Sequence, residues 1–438
     1  MTGRAMSNDL RGSVTGRVLL PGDDGFTDAG KPWNLSVDQP VAAVVEARDA
    51  SDVAAVVRYA RRAGLTVAAQ VSGHGASGDV ADAILLRTRQ LDAVEVHPEQ
   101  RRARVGAGAK WGAVLAASGP HGLTGLSGSS PAVSVVGYLL GGGLSWFGRK
   151  FGWAAGTVRA LDVVDSDGEP TTVTADSDSE LFWALRGGGG DFALVTAVEF
   201  DLLPAPDLYG GRMMWPAARA EDVFAAFRDV TVSASDELSI WVSRLQFPQA
   251  PPMVAVDAAY LGTAADGREL LAAFDTISDA IADKRGTVAV ADLGTITAEP
   301  TDPVPTRSRT ELLTELDDAT AATLLAAPTE PLLSVQVRHL GGALTEAAGA
   351  ADALAEPYLL YTLGPAANPE LAAAVGARQR EIVEAVGARV SGRKPYTFLG
   401  RGDTVASAFS APTLARLREL KTARDPQRVF RANFPVQG

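Results

Sequence analysis

The chain has no cysteine and only four histidines among its 438 residues. The lack of cysteine excludes disulfides, thiolate metal sites and cysteine nucleophiles. Because the histidines are scattered and form neither an HxxxH nor an HExxH pattern, we expect no metal centre. No stretch approaches the roughly 18 uninterrupted apolar residues of a membrane span, so none is predicted. The first residues lack the apolar core of a secretory signal, which favours a cytoplasmic protein.

Basic residues are also scarce, with 40 Lys and Arg against 52 Asp and Glu and a formal net charge of −12. A nucleic-acid-binding protein needs a basic face to neutralise phosphates, so we expect no nucleic-acid partner. The chain is long enough for two folded domains, and 46% of its residues are hydrophobic. This composition favours an enzyme that acts on a small molecule with an organic cofactor, and it leaves the oligomeric state open.

In the first half of the chain, short strands alternate with helices. The pattern predicts a helix over 51–64 with Ser51 as its N-cap. It also predicts hairpins over 94–108 and 158–175, and a helix opened by a capping box at 177–180. Beyond these elements the texture changes, and Ala-rich helical stretches mix with strands such as LSIWVSRLQF and MVAVDAAYLG. The change indicates a separate α+β layer, after which the chain ends in a helix and a tail.

Glycine is abundant, with 45 residues, and three segments concentrate it. These segments are QVSGHGASG (70–78), GLSGSSPAVSVVGYLLGGGLSWFGRKFG (125–152) and LRGGGGDFALVT (185–196). Glycine loses more conformational entropy on folding than other residues, so such clusters indicate backbone that approaches a ligand closely. Free N–H groups in loops of this kind bind the oxygens of a pyrophosphate. The alternative for each segment is a flexible surface turn.

A further segment, VGAGAKWGA (105–113), has the spacing of a dinucleotide fingerprint and on its own would favour a NAD-dependent dehydrogenase. However, the strand before it belongs to a predicted hairpin, and no acidic residue follows in the stretch about twenty positions on. We therefore expect a tight turn into a helix at this point.

Together with the tail segment DPQRVFRAN (425–433), the three glycine segments resemble the FAD-linked oxidases of the berberine-bridge-enzyme type, which have the vanillyl-alcohol-oxidase or PCMH-type FAD-binding fold. The segments follow in the order and at the spacing of that family. The resemblance implies an α+β fold in which residues 1–205 and 396–438 form a two-subdomain FAD-binding domain. Residues 206–395 are then a substrate-binding domain, whose large antiparallel sheet, backed by helices, covers the flavin.

The resemblance also implies how the cofactor is held. The loop around His74 wraps the pyrophosphate of FAD, and the imidazole is bonded to the 8α carbon of the flavin. A neutral imidazole suits this bond because it is a nucleophile near pH 7. The residues that the resemblance places around the cofactor are Ser72, Gly73, His74, Gly75, Ala76, Ser77, Ser130, Val133, Gly137, Tyr138, Gly141, Gly142, Gly143, Gly190, Asp191, Val195 and Asn433.

Two of these positions distinguish branches of the family. Ser130 stands where many members carry a cysteine with a second bond to the flavin, so this chain resembles the branch with the histidyl bond alone. Val133 aligns with a position that admits or blocks oxygen, and valine resembles the oxygen-reactive members. Arg149 and Lys150 either balance the charge of FAD or belong to solvated surface.

The sequence determines the catalytic residues less well. Several members take a proton with a tyrosine near the C-terminus, but the corresponding stretch here, KPYTFLG, has Phe398 at that position and Tyr396 two residues earlier. The other candidate strand, SVQVRHLGG (334–342), sends His339 to one face and Arg338 to the other. A histidine with a pKa near neutrality suits proton removal. The candidates for catalytic residues are therefore His339, Arg338 and Tyr396.

The resemblance implies an FAD-dependent oxidase of secondary metabolism. Hydride passes from a substrate C–H bond to the flavin, a protein base takes the proton, and molecular oxygen reoxidises the cofactor to give hydrogen peroxide. The aromatic residues Trp241, Phe247 and Tyr260 favour a hydrophobic, natural-product-like substrate. Alternatives within the family are a flavin-dependent oxygenase and a dehydrogenase with another electron acceptor. A non-enzymatic alternative is a flavoprotein that only binds a ligand.

Overall fold

The computed structural model describes residues 9–437, and its N-terminal part contains a four-stranded sheet. In spatial order, its strands are β1 (Arg17–Leu19), β2 (Ala43–Glu46), β4 (Ile84–Arg87) and β3 (Val67–Gln70). Strands β2, β4 and β3 are parallel, whereas β1 is antiparallel to β2. The helices of this part are α1 (Phe26–Gly30) and α2 (Ala50–Ala63). Parallel strands need a crossover connection, which α2 provides between β2 and β3.

Two helices begin at a different cap from the one that the sequence predicted. Helix α2 is capped by Asp49 rather than Ser51, and it ends at Gly64 with a φ of 67°, which glycine adopts without strain. The helix expected to open at Ser177 is capped by Asp178, so the predicted capping box was wrong. In both cases an aspartate beside the predicted serine supplies the acceptor, because a carboxylate forms the stronger hydrogen bond to the N–H groups of the first turn.

A five-stranded antiparallel sheet packs beside the first sheet. Its strands, in spatial order, are β5 (Val94–His97), β6 (Arg102–Gly106), β10 (Leu194–Asp201), β8 (Val158–Val164) and β9 (Pro170–Val173). The pairs β5–β6 and β8–β9 confirm the two predicted hairpins. After β6 the segment VGAGAKWGA turns into helix α3 (Trp111–Ser118), as expected. A Cβ on Gly106 would stand 2.0 Å from the carbonyl oxygen of Leu91, so this glycine allows close backbone packing.

The second half of the chain builds an eight-stranded antiparallel sheet. Its strands, in spatial order, are β15 (Ala282–Asp283), β12 (Tyr209–Pro216), β14 (Met253–Tyr260), β13 (Leu238–Leu245), β18 (Ser334–His339), β19 (Tyr358–Pro365) and β17 (Thr306–Leu313), with β16 (Gly286–Thr287) also on β12. Helices α7 (Ala220–Ser233), α9 (Asp318–Ala326) and α10 (Pro369–Val386) cover one face and share an apolar core with it. The expected large sheet backed by helices is thus confirmed, and its other face is left for the site.

Smaller elements connect these layers. The other helices are α4 (Val135–Leu140), α5 (Gly148–Phe151), α6 (Ser179–Ala184), α8 (Ala264–Leu270) and α11 (Ala411–Arg424), and β7 (Leu123–Thr124) pairs with β11 (Leu203–Pro204). No helix between residues 9 and 437 combines the length and the apolar character needed to cross a bilayer.

The C-terminal helix and tail return to the first half of the chain. Lys421, 3% exposed, donates to the carbonyl oxygen of Asp191 at 2.7 Å and to the carboxylate of Asp425 at 2.8 Å. The carboxylate of Asp191 accepts the N–H groups of Ala432 at 3.0 Å and Val436 at 2.8 Å. Buried charges are retained where they are paired and hydrogen-bonded, so this cluster fixes the tail. The domain boundaries at residues 205 and 396 stay a prediction.

Arg149 joins the two halves of the chain. Its side chain is 6% exposed and donates hydrogen bonds to the carbonyl oxygens of Leu238 at 3.0 Å, Ala234 at 3.1 Å and Leu340. Arg149 therefore binds the backbone of the large sheet and its flanking loop, and it does not line the central cavity. The neighbouring Lys150 forms a surface ion pair. Neither side chain is placed to balance the charge of a cofactor.

We expect Arg149→Met to lower the free energy of unfolding by about 3 kcal/mol or more, because several buried carbonyl oxygens would lose their donor. Guanidinium unfolding followed by tryptophan fluorescence measures the change. The matched substitution Lys150→Met, one residue away on the surface, should leave the unfolding midpoint near that of the wild type. Equal midpoints for the two variants would contradict the bridging role of Arg149.

Candidate functional site

A cavity of about 910 Å³ opens between the glycine segments of the first half and the free face of the eight-stranded sheet. Most of the residues that the sequence assigned to the cofactor line this cavity. They are Ser72, Gly73, His74, Gly75, Ser130, Val133, Gly137, Tyr138, Gly141, Gly190, Val195 and Asn433. The fold thus brings the three glycine segments and the C-terminal tail together around one space, and the cofactor contacts of these residues stay a prediction.

Five of the predicted cofactor residues do not line this cavity. They are Ala76, Ser77, Gly142, Gly143 and Asp191. Gly143 has a φ of 76°, and a Cβ there would stand 2.5 Å from the ring of Tyr138. Asp191 holds the tail, as described above. Gly143 and Asp191 thus pack against protein, and the cofactor contacts of all five residues stay a prediction.

The loop that carries His74 is narrow because neighbouring chain packs against it. Gly73 has a φ of 77°, and a Cβ on it would lie 2.8 Å from the Cβ of Pro32. The carbonyl oxygen of Ser72 accepts the backbone N–H of Trp33 at 2.8 Å. Glycine is therefore required for both the left-handed backbone and the close approach of the two segments.

The imidazole of His74 is held on two sides and free at one nitrogen. Its ring stacks on the indole of Trp33 with centroids 4.3 Å apart, and its Nδ1 lies 2.7 Å from the hydroxyl oxygen of Ser72. Nε2 is buried and has no hydrogen-bond partner among residues 9–437. Burial, and next the charge of Lys110, lower the pKa of His74 to about 4. The ring is therefore neutral at pH 7, with an unused polar atom at the cavity wall.

Buried amides support this loop from below. Gln70 donates from Nε2 to the side-chain oxygens of Gln39 at 2.7 Å and Asn433 at 3.3 Å. Its own Oε1 accepts from Arg87, which is 1% exposed and also donates to two backbone carbonyl oxygens. This network ties the tail residue Asn433 to the start of the loop and fixes the position of His74 relative to the tail.

Tyr396 enters the cavity wall over the run of four glycines. It begins a short 3₁₀ turn (Tyr396–Phe398), and its hydroxyl donates to the carbonyl oxygen of Phe434 at 3.3 Å. A Cβ on Gly189, whose φ is 90°, would stand 2.4 Å from that hydroxyl oxygen, so glycine makes room for the phenol. Burial, and next the charge of Asp191, raise the pKa of Tyr396, which keeps the phenol neutral.

The free face of the large sheet presents Arg338 to the cavity. Strand pairing sets Arg338 opposite Trp241, and the guanidinium lies over that indole at 3.8 Å from the ring centroid. Its Nε donates to Oε1 of Gln336 at 2.6 Å, and Gln336 donates in turn to the hydroxyl of Ser243 at 3.0 Å. Arg338 is 7% exposed and forms no ion pair with the described residues. The sheet thus carries a buried cation that lines the cavity.

His339 lies on the opposite face of the same strand, away from the cavity. Its Nε2 is 3.1 Å from a guanidinium nitrogen of Arg149, and its ring is 5.6 Å from the ring of Tyr358. Burial, and next the charge of Arg149, lower its pKa to about 3. The predicted catalytic role of His339 is therefore corrected, because the alternation of strand β18 directs Arg338 rather than His339 to the site.

Sequence reasoning missed Tyr361, Gln336 and Trp33, which line the cavity beside predicted residues. Tyr361 lies on strand β19 and pairs with Gln336 of the neighbouring strand β18. Its ring centroid is 5.3 Å from the guanidinium carbon of Arg338. The period-two alternation of strand β19 could have indicated which of its side chains share a face. That β19 pairs with β18 depends on the topology of the sheet, which the sequence of a single strand does not show. Trp33 reaches His74 through the packing of a loop that carries no periodic pattern.

Comparison with known proteins finds a sequence family that matches part of the chain and solved structures that match nearly all of it. The sequence family described as FAD binding domain matches residues 41–174, which include two of the three glycine segments. This segment is an FAD binding domain. Among solved structures, 6-hydroxy-D-nicotine oxidase from Arthrobacter nicotinovorans superimposes with a TM-score of 0.87 at 22% identity, over 98% of this chain and 99% of that one. This likeness confirms the predicted PCMH-type fold.

Curated relatives match about half of the chain. (R)-6-hydroxynicotine oxidase of Paenarthrobacter nicotinovorans is 30% identical over 212 residues, which are 48% of this chain and 46% of that enzyme. An FAD-dependent monooxygenase of Penicillium roqueforti is 28% identical over 231 residues, which are 52% of this chain and 45% of that protein. The matches span less than half of each of these relatives, so they do not identify the substrate.

The two lowered histidine pKa values predict a loss of stability in acid. His339 has a pKa of about 3 in the folded chain and regains a value near 6.5 on unfolding. Its contribution is therefore complete above about pH 6.5 and is lost as the pH falls from there toward 3, since the unfolded chain binds the proton first. At pH 5 the loss from His339 amounts to about 2 kcal/mol relative to pH 7.

We expect His339→Gln to flatten the dependence of the unfolding free energy on pH between about pH 5 and pH 7. Urea unfolding at a series of pH values measures the slope. His97→Gln, in an exposed position of strand β5, is the matched control and should keep the slope of the wild type. An unchanged slope in His339→Gln would contradict a neutral, buried imidazole at this position.

Proposed function

We propose that the protein is an FAD-dependent oxidase whose flavin is bonded to His74. The observation that carries the proposal is the buried Nε2 atom of His74, which lacks a hydrogen-bond partner among residues 9–437 in a residue that lines the cavity. A buried polar atom without a partner costs about 1–3 kcal/mol, and native proteins rarely leave one without a reason. A bond from Nε2 to a cofactor removes that cost.

The cavity fits FAD in size and in lining. Its volume of about 910 Å³ lies within the range of cofactor sites. Gly73 and Gly75 belong to the loop in the wall, and N–H groups of such loops bind pyrophosphate oxygens. When bound, FAD supplies a hydride acceptor, which no amino-acid side chain provides.

The environment of His74 suits a covalent bond at Nε2. When Nδ1 holds the ring proton and donates it to the hydroxyl of Ser72, the lone pair stays on Nε2. The pKa of about 4 keeps the ring in this neutral, nucleophilic form at pH 7. Ser130 is 7% exposed in the same wall and offers a hydroxyl where a second bond would need a thiol. We therefore propose a single bond, from His74 to the 8α carbon.

Arg338 and Tyr396 are the residues that we propose to act on the substrate, since both line the cavity. Tyr396 is a neutral phenol whose hydroxyl donates a hydrogen bond to the carbonyl oxygen of Phe434. It therefore positions groups by hydrogen bonding and does not serve as a base. Arg338 provides a fixed positive charge next to the reacting molecule. The substrate is a small molecule that enters between these side chains and the glycine segments.

A monooxygenase is the second candidate, because one relative of comparable identity carries that description. The two candidates differ in the fate of oxygen. An oxidase releases hydrogen peroxide in equal amount to the oxidised product, whereas a monooxygenase places one oxygen atom in the product. Both candidate reactions need oxygen at the flavin. Val133 lines the cavity, and we propose that it leaves oxygen a path to the flavin.

The covalent bond predicts that flavin stays with the polypeptide after denaturation. We expect flavin fluorescence in the protein band of an acid-treated denaturing gel, and its disappearance in His74→Ala. His121→Ala, which changes an exposed histidine, is the matched control and should keep the fluorescence. Fluorescence retained in His74→Ala would show that another residue carries the bond.

If oxygen reaches the flavin past Val133, the size of the side chain at this position should change the rate at which reduced flavin is reoxidised. An extra methylene at this position narrows the proposed path of oxygen to the flavin. After photoreduction, we therefore expect Val133→Leu to reoxidise at least about tenfold more slowly than the wild type when mixed with aerated buffer. Val133→Ala should reoxidise at the wild-type rate or faster. A wild-type protein that stays reduced in air would contradict the oxidase and favour another electron acceptor.

A further inference from the structure

Arg338 is a buried cation without a counterion, and this calls for an explanation beyond folding. The side chain is 7% exposed, yet only its Nε has a hydrogen-bond partner among residues 9–437, the Oε1 of Gln336. Its two Nη groups are accessible from the cavity that the residue lines. A buried charge is costly unless it is paired, so the free Nη groups indicate a partner that comes from outside the chain.

The neighbouring carboxylates do not fill this role. Asp257 lies on strand β14 opposite Trp241 and is fully buried. Its carboxylate accepts hydrogen bonds from the guanidinium of Arg212 at 2.6 and 2.9 Å. Glu299 is exposed and lines the same cavity, and its charge favours the charged form of Arg338, but it makes no ion pair within the described residues. Arg212 is thus neutralised by its own aspartate, and Arg338 keeps a net positive charge.

The guanidinium is also oriented in advance. The bond from Nε to Gln336, which is itself held by Ser243, fixes the plane of the guanidinium and turns the Nη edge toward open space. Stacking on Trp241 restrains it further, with Tyr361 and Phe398 at 5.3 Å from the guanidinium carbon. A planar fork of this kind matches a carboxylate bidentately, and the surrounding rings suit an apolar or aromatic body.

We infer that the substrate carries a carboxylate, which pairs with the Nη groups of Arg338 while its apolar body lies against Tyr361 and Phe398, which line the cavity. This inference rests on the proposed function and names the class of molecule that the same site accepts. A different role for Arg338 is to stabilise the negative charge of reduced flavin, and the experiment below separates the two.

Benzoate and benzamide are matched probes, because they share a ring and differ in charge. Titrated into the flavin-loaded protein and followed by the flavin absorbance spectrum, benzoate should bind saturably and at least about tenfold more tightly than benzamide. Arg338→Gln should lower the affinity for benzoate at least about tenfold and leave that for benzamide unchanged. Arg416→Gln, at a surface ion pair, is the control for the same substitution elsewhere and should bind both probes like the wild type.

Other outcomes overturn the inference. Equal affinities for the two probes in the wild type, or unchanged benzoate binding in Arg338→Gln, would show that Arg338 does not receive the carboxylate. A lowered flavin midpoint potential in Arg338→Gln with an unchanged preference for benzoate would assign the charge to the flavin.

Two further measurements keep the test independent of folding and of flavin. If Arg338→Gln does not fold, Arg338→Lys retains the charge without the fork and should bind benzoate more weakly than the wild type. A protein that never binds flavin would contradict the proposed function itself, and calorimetric titration of benzoate and benzamide then still decides whether the anion site exists.

Discussion

The burial of His74 with one nitrogen unpartnered is the constraint to which the rest of the site is fitted. A charged imidazole would not be stable there, and the lowered pKa keeps the ring neutral. Trp33 and Ser72 fix the plane of the ring and one of its nitrogens, which leaves Nε2 as the atom that needs a partner. The small residues on either side follow from the same need, because only a glycine-rich loop lets backbone and imidazole approach one bound molecule together.

Two buried arginines show how the chain uses positive charge in different ways. Arg149 lies at the junction of the two halves and is surrounded by backbone carbonyl oxygens. Its guanidinium donates to these oxygens and so holds the two halves together. Arg338 has a single acceptor and open space in front of its Nη groups. The stacked rings of Trp146 and Trp241, 3.8 Å apart, connect the glycine segment with strand β13, and Arg338 of the neighbouring strand β18 lies over the ring of Trp241. The cavity is therefore rigid on the side where we place the substrate.

The sequence predicted the fold class, the hairpins and twelve cofactor residues that line the cavity, because glycine clusters, period-two alternation and turn residues are local signals. It missed the caps at Asp49 and Asp178, where a neighbouring serine gave the same pattern. The alternation of strand β18 correctly separated His339 from Arg338 onto two faces. Which face meets the cavity depends on how helices α7, α9 and α10 cover the sheet, and such long-range packing leaves no mark in a single strand.

The central claim is that Nε2 of His74 is bonded to FAD, and mass spectrometry tests it most directly. Trypsin cleaves after Arg62 and Arg87, so residues 63–87 form one peptide with His74 as its only histidine. The account predicts that this peptide carries the mass of FAD less two hydrogen atoms, with fragment ions that place the added mass on His74. An unmodified peptide from flavin-loaded protein, or the added mass on another residue, would contradict it.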